Sequence, residues 1–266
     1  MEIKTDRYEL YQGDCLEVMD RLIEEDVKVN TIITDLPYGT MRCKWDNIIP
    51  FDDMWEKIRK LTYENSSILL FGQNPFSAKL ICSNLNEYNH SWVWEKNKCA
   101  NFQLAKHQPR RMTEDILVFT RGGFSYQSKN KCTYNPIMID RKPIKPRIKE
   151  AKRSDNMFEL NTSVNKKQKS QNFKTDLDNF IPDKSYPKNL IYFANSGKRV
   201  HPTQKPVDLL EYLIKTYTNK NDLVLDFTMG SGSTGVACMN TNRKFIGIEL
   251  NERYFNIARE RLSSIK

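Results

Sequence analysis

An open, mainly parallel, doubly wound α/β sheet broken by one inserted region is the fold class this sequence predicts, on three observations. Short apolar strands alternate with amphipathic segments toward both ends of the chain. Between them the alternation stops from Arg121 to about Pro187, where Pro136, Pro143, Pro146 and Pro182 punctuate a polar stretch. Two compact motifs of acidic, glycine and proline residues follow directly after apolar strands, and ligands of open α/β sheets bind beyond the carboxyl ends of strands.

The elements follow in order. Tyr8–Gln12 reads as a short strand ending at Gly13-Asp14, and Cys15–Glu25 carries Leu16, Met19, Leu22 and Ile23 at helical spacing. Val27–Thr34 is a β-branched strand, Phe51–Tyr63 a helix through Met54, Trp55, Ile58 and Leu61, and Ser67–Phe71 a compact apolar strand. Asn74-Pro75 suits an N-cap and first helical position for a helix through Leu85, and Ser91–Trp94 and Ile116–Phe119 are further strands. Asn161–Lys174 is polar with few aromatic residues, so partial disorder without a ligand is expected within 121–187. Order returns with the strand Leu190–Phe193 and the helix Val207–Tyr217. Leu223–Asp226 and Phe245–Glu249 are buried strands, and Asn251–Leu262 is a helix behind an Asn cap. The expected division is 1–120 with 190–266 as one domain and 121–189 as the insert.

Composition sets outer limits. A chain of 266 residues suits one large domain or a domain with an insert. At 39% apolar it holds no run near the ~18 residues that cross a bilayer, and its start lacks a signal-peptide apolar core, so a cytoplasmic protein with no membrane partner is expected. Its six cysteines form no CxxC pair and there are three histidines, which predicts reduced thiols and no metal site. The net charge of +9 is unevenly spread: residues 121–174 hold 14 Lys and Arg against 4 Asp and Glu, a net of +10, and the rest has a net of −1. A basic block on a neutral scaffold suits a polyphosphate backbone, whose neutralisation releases condensed counterions; the bland alternative is a solvated lysine-rich linker.

The first motif, Asp226-Phe227-Thr228-Met229-Gly230-Ser231-Gly232-Ser233-Thr234-Gly235, runs from a strand carboxylate through close glycines into a helix start. Glycines let backbone approach a ligand, and a helix start offers free N–H groups to an anionic group. There is no GK[ST], which disfavours a phosphate-binding P-loop, and a plain tight turn stays open. Glu249, ending the next strand, is placed to accept hydrogen bonds from both hydroxyls of a ribose. The second motif is Thr34-Asp35-Leu36-Pro37-Tyr38-Gly39. Pro37 restricts Leu36 to extended backbone and so frees its carbonyl to accept from a ligand amine, and Tyr38 offers a flat face to a base; an ordinary strand-ending turn is the alternative.

Together with His201-Pro202-Thr203-Gln204-Lys205-Pro206, these residues resemble the AdoMet-dependent DNA amino-methyltransferases, and their order resembles the β group of that family. The likeness spans nearly the whole chain apart from the insert. It implies a seven-stranded, Rossmann-like AdoMet-methyltransferase sheet, S-adenosyl-L-methionine as cofactor, double-stranded DNA as partner and the insert as target-recognition region. Asp226, Thr228, Gly230, Ser231, Gly232 and Ser233 would surround the methionine portion of the cofactor, and Glu249 would take the ribose. Gly13-Asp14-Cys15 resembles the adenine-contacting motif, brought beside the Glu249 strand by the permuted chain order. Thr203, Gln204 and Lys205 resemble the segment that closes over the methionine end.

The implied reaction is methyl transfer to the N6 amine of a flipped adenine. Asp35 and the Leu36 carbonyl would accept the amine hydrogens, with Pro37 and Tyr38 completing the motif and Tyr38 stacking on the base. Leu36 stands where the family has a first proline; the carbonyl survives the change and the fixed φ does not. In the family that the chain resembles, Asp rather than Ser at the motif's first position tends to go with N6-adenine, which the resemblance therefore implies here, with N4-cytosine as the alternative. A protein-glutamine methyltransferase fits the motif order poorly, and a DNA-binding protein that keeps AdoMet without catalysis is a reading from another class. Lys96, Arg110 and Arg111 are candidate phosphate contacts, Phe102 a candidate contact of the flipped base, and Trp92 and Trp94 are read as packed strand residues. A homodimer rests on the resemblance alone. The recognition sequence and any cognate restriction enzyme are not legible in the chain.

Overall fold

The structure, a computed structural model, describes residues 1–39, 47–140, 142, 183–195 and 204–265. His201, Pro202 and Thr203, and most of the stretch expected to be partly disordered, lie outside them. The chain forms two compact units, Met1–Pro136 with Lys188–Lys266, and Ile137–Pro187.

In the first unit the elements run β1 (Glu2–Lys4), β2 (Tyr8–Gln12), α1 (Cys15–Glu24), β3 (Val29–Asp35), α2 (Phe51–Leu61), β4 (Thr62–Gly72), α3 (Phe76–Ser83), β5 (Tyr88–Glu95) and β6 (Thr113–Phe119). After the second unit, which holds β7 (Ile139–Asp140) and β8 (Lys184–Ser185), come β9 (Leu190–Tyr192), α4 (Val207–Tyr217), β10 (Leu223–Asp226), α5 (Ser233–Asn240), β11 (Lys244–Glu249) and α6 (Glu252–Ser263). The first unit's sheet has the order β1-β2-β11-β10-β3-β4-β6-β5-β9. From β2 to β4 every pairing is parallel, and β6 runs against both its neighbours. The eight strands read from the sequence, with Leu190–Phe193 appearing as the edge strand β9, are joined by the three-residue edge strand β1, too short to read from periodicity, so the sheet has nine strands where the family resemblance implies seven.

Two cores make the sheet doubly wound. Successive strand residues point to opposite faces, so Ile33, Val224, Ile116 and Val118 pack with Leu209, Leu213, Ala237 and Phe255 of α4, α5 and α6. Their neighbours Ile32, Leu225, Leu117 and Phe119 pack with Leu22, Ile58 and Leu80 of α1, α2 and α3. Val224 lies opposite Thr31 and Leu225 opposite Ile32 in the β10–β3 pairing, which sets the carboxyl ends of these two strands side by side.

Three local expectations change. The second helix stops at Leu61, because the Tyr63 N–H turns to the Ser66 hydroxyl at 3.0 Å and the chain is already β4. Asn74 does not cap α3: its N-cap is Pro75, with no side-chain cap, and the Gln73 carbonyl takes the Ser77 N–H at 3.2 Å. Residues 121–136, grouped with the insert by composition, pack into the first unit, where the Phe124 ring meets Tyr217 and the Asn135 N–H donates to the Thr216 carbonyl at 2.7 Å. Their aromatic side chains outweigh their polar composition. In the second unit Ile139 pairs antiparallel with Ser185, and Lys184 is 3.3 Å from Asp140.

Gly232 shows how tightly the helices are drawn to the sheet. Its φ is +76°, and a Cβ there would lie 2.8 Å from the Ala258 Cβ and 3.1 Å from its Cα, on α6. Gly232→Ala is therefore expected to destabilise the protein by at least about 1–2 kcal/mol through the left-handed backbone alone. Thermal unfolding checks this, as a fall of several degrees in Tm; an unchanged Tm would refute it.

Candidate active site

Beyond the carboxyl ends of β2, β3, β10 and β11 lies a cavity of about 700 Å³, within the range of ligand pockets. One half is built by β10, β11 and the turn before α1. Asp226 ends β10 buried, its Oδ1 accepting from the Thr34 hydroxyl at 2.7 Å and the Thr228 N–H at 3.2 Å, its Oδ2 from the Thr234 hydroxyl at 2.6 Å. Burial outweighs these three donors and pushes its pKa up from 3.8 to about 6. Glu249 ends β11; its Oε2 accepts from the Gly230 N–H at 2.9 Å and its Oε1 from the Asn251 N–H at 2.7 Å, and burial again raises its pKa. Gly13 donates its N–H to the Glu249 carbonyl at 3.1 Å, so the Gly13–Cys15 turn does sit beside Glu249. The Asp14 carboxylate caps α1, accepting from Leu16 N at 2.8 Å and Glu17 N at 3.3 Å, and burial pushes the Cys15 thiol up to about 12. Arg261 fastens the glycine turn from behind, donating to the Ser231 carbonyl at 2.5 Å and to the Ser231 and Ser233 hydroxyls at 3.1 Å.

The other half centres on Asp35 at the end of β3. Its Oδ1 accepts from the Tyr38 hydroxyl at 2.9 Å and its Oδ2 from the Lys205 ammonium at 2.6 Å. Lys205 also lies 2.9 Å from Glu114 Oε1, to which Tyr38 donates at 3.1 Å, and Lys96 lies 2.5 Å from Glu114 Oε2. Two carboxylates and two ammoniums are thus closed on each other around one phenol. Burial, opposed by Lys205 and aided by the Glu114 charge, makes Asp35 hold a proton more readily than an ordinary carboxylate. Glu114 is also raised by burial, but Lys205 and Lys96 bring it below its ordinary value; Lys205 stays an ammonium because the two carboxylates outweigh its desolvation. The two halves meet through hydroxyls: Thr34 Oγ1 and Thr228 Oγ1 are 2.6 Å apart, and Thr228 donates to the Asp35 carbonyl at 3.0 Å.

The cavity brings together most of the residues singled out in the sequence. Asp14, Cys15, Asp35, Leu36, Pro37, Tyr38, Lys96, Gln204, Lys205, Asp226, Thr228, Gly230, Ser231, Ser233 and Glu249 line it. Thr203 is outside the described residues. Gly232 does not line it, since it is turned toward α6. Lys96 stands against Glu114 and so does not project as a solvated phosphate contact, and Lys205, expected over the methionine end of the cofactor, stands against Asp35, where its charge is balanced. Arg110, Arg111 and Phe102 lie off the cavity: Arg110 covers the Phe102 ring at 5.6 Å, Phe102 is 77% exposed, and Arg111 bonds Gln73 and Asn101. Both tryptophans are buried strand residues, although the Trp94 ring also forms cavity wall. Leu36 is 4% exposed and belongs to the same core cluster as Phe76 and Leu80, so its side chain is held by packing where the family has a proline ring.

A profile of the family described as DNA methylase, covering N6 and N4 enzymes, matches residues 29–260. The chain belongs to this N6/N4 DNA methyltransferase family. Among its relatives is the Type II methyltransferase M1.MboII of Moraxella bovis, 27% identical over 271 residues and covering 94% of each chain. The DNA adenine methyltransferase YhdJ of Escherichia coli K12 is 26% identical over 264 residues, covering 95% of this chain and 82% of its own. Among solved structures, the complex of M1.HpyAVI with SAM matches at a TM-score of 0.62 and 25% identity, covering 96% of this chain and all 100% of the other. Among the described residues, no helix of the methyltransferase is long and apolar enough to cross a membrane.

Glu114, Arg261 and Thr34 were not singled out as site residues in the sequence. Glu114 could have been: in Thr113–Phe119 it shares the alternation of Ile116 and Val118, which puts an acid on a core-facing strand position. Arg261 carried no signal, since a basic residue in the last turn of a helix is ordinary.

The raised Asp226 pKa has a consequence for the methyltransferase's stability. The folded state holds this proton more tightly than the unfolded chain, so the contribution is full below about pH 4 and is lost as pH rises toward about 6. Between pH 4 and 7 the native protein should lose stability relative to Asp226→Asn by an amount on the order of 2–3 kcal/mol. Denaturant unfolding at both pH values checks this; a gap between the two proteins that does not change with pH would contradict it.

Proposed function

We propose that the protein transfers a methyl group from S-adenosylmethionine to the N6 amine of an adenine flipped out of double-stranded DNA. The observation that carries this reading is that the Asp35-Leu36-Pro37-Tyr38 turn and the Asp226, Gly230 and Glu249 group line one cavity and share a hydrogen-bonded seam.

The donor set fits the cofactor. Glu249 is a half-buried acceptor, and ribose hydroxyls would add donors to oxygens that now accept from Gly230 and Asn251. Ser231 and Ser233 sit at the start of α5, with the Arg261 charge behind them, a setting suited to the anionic methionine end. Asp14, Cys15 and Gln204 complete the wall. The cofactor supplies an electrophilic sulfonium methyl group.

The chain supplies orientation. An exocyclic amine is a poor nucleophile while its lone pair is delocalised into the ring. Two acceptors on its hydrogens favour a tetrahedral nitrogen with the lone pair localised. Asp35 has lone pairs beyond those used by Tyr38 and Lys205, and the Leu36 carbonyl lies on the same turn. The Tyr38 ring, 4.9 Å from Phe76 and held by its hydroxyl to Asp35 and Glu114, presents a fixed face to the base. Flipping costs a few kcal/mol, which phosphate contacts from the basic stretch within 121–189, the proposed target-recognition region, offset. Asp at the head of the motif and the relationship to an enzyme named as a DNA adenine methyltransferase support adenine over cytosine.

Tritium transfer from labelled AdoMet to unmethylated genomic DNA, followed by nucleoside chromatography, tests class and base together. Label in N6-methyladenine is expected, with transfer lost in Asp35→Ala while AdoMet binding persists. Label in N4-methylcytosine would overturn the choice of base, and no label on DNA would overturn the proposed substrate.

A further inference from the structure

We infer that Glu114 is a positioning residue for methyl transfer: with Lys96 and Lys205 it holds the Asp35 carboxylate in place and provides the counter-charge on which Lys205 rests when the target amine engages Asp35. The inference rests on the reading of Asp35 as acceptor of the amine hydrogens.

Glu114 is a strand residue on the core-facing side of β6, 7% exposed, in a position that periodicity would give to an apolar side chain. A carboxylate there is costly unless it is paired. Each of its oxygens has an ammonium, Lys205 at 2.9 Å and Lys96 at 2.5 Å, and each ammonium lies over an aromatic face, Lys205 at 4.8 Å from the Phe71 ring centre and Lys96 at 4.9 Å from that of Trp94. Lys96 arrives from just beyond β5 and Lys205 from just before α4, so Glu114 draws two separate chain segments to the cavity wall.

The geometry at Asp35 makes this pairing useful. Both Asp35 oxygens already accept, one from Tyr38 and one from Lys205. An incoming amine takes a further lone pair on an oxygen that already accepts from Tyr38 or Lys205, and so competes with that donor for the charge of the oxygen. If Asp35 were the only partner of Lys205, that competition would leave an ammonium unpaired in a site where its side chain is 10% exposed. Because Glu114 already holds the same Nζ, Lys205 can yield part of its bond to Asp35 and remain paired. Tyr38 is shared in the same way, its hydroxyl reaching both carboxylates, which keeps its ring set while Asp35 changes partners.

The test is single-turnover methyl transfer against pH in Glu114→Gln and Lys96→Met, with AdoMet affinity measured alongside. Glu114→Gln keeps the hydrogen-bonding shape and removes the charge. The groups facing Asp35 are Tyr38, Glu114 and Lys205, with Lys96 behind Glu114 and Asp226 across the threonine seam. Removing the Glu114 charge makes Asp35 easier to ionise, so the acid limb of the rate should move to lower pH; removing Lys96 makes it harder, so the limb should move to higher pH. Glu114→Gln should also lower the plateau rate about 10- to 100-fold, as a small misplacement of a reacting group does, with AdoMet affinity unchanged. A plateau rate equal to native, a loss matched by an equal loss of AdoMet affinity, or acid limbs that do not move in opposite directions would each overturn the inference. If Glu114→Gln does not fold, the upward shift in Lys96→Met decides it alone. Asp35→Ala run in parallel separates the two readings: transfer that survives it removes the role of Asp35, whereas transfer lost there but native in Glu114→Gln removes only that of Glu114.

Discussion

The carboxyl ends of β3 and β10 are tied together by two hydroxyls, those of Thr34 and Thr228, and the rest of the site depends on that tie. Thr34 bonds the Asp226 carboxylate, Thr228 meets Thr34 and donates to the Asp35 carbonyl, and Thr234 closes on the second Asp226 oxygen. Methyl transfer has a narrow tolerance in the separation and angle of donor and acceptor. Adjacent parallel strands supply a coarse alignment, since Val224 lies opposite Thr31 and Leu225 opposite Ile32. The hydroxyl chain supplies the finer one, because each bond has a fixed length and direction and each is buried or nearly so, where leaving a partner unpaired is costly.

Around this seam the protein keeps a concentration of buried charge that a fold selected only for stability would not hold. Asp226 and Glu249 are shifted upward by burial, and the Asp35, Glu114, Lys96 and Lys205 group needs four charges to balance itself. Such groups are weak sources of stability and strong sources of orientation. The two apolar cores, one on each face of the sheet, carry the stability that lets the strand ends remain polar.

How far the site could be read in advance depended on whether its residues sit in local patterns. The glycine turn, Glu249 and the Asp35 turn each lie at or just after the end of a strand, and the pairing of β2 with β11 was implied by the family resemblance. Helix bounds set by apolar spacing were close, as in α4. Those set by a side-chain cap failed where the main chain satisfied its own N–H groups, as at α3. Contacts made across the chain were out of reach: Lys205 meets Asp35 from 170 positions away, and Glu114 stood in a strand that sequence read only from Ile116. Phe102 shows the converse, since an aromatic near the active side of the sheet is in fact turned outward beneath Arg110.

The most direct measurement of the seam is single-turnover methyl transfer in Thr228→Val, which keeps the side-chain shape and deletes the hydroxyl joining the end of β10 to Thr34 and to the Asp35 carbonyl of β3. If the seam sets the separation of the two half-sites, the transfer rate at saturating AdoMet falls about 10- to 100-fold while DNA is bound as tightly as by the native protein. A native rate in this variant would show that the strand pairing alone aligns the site.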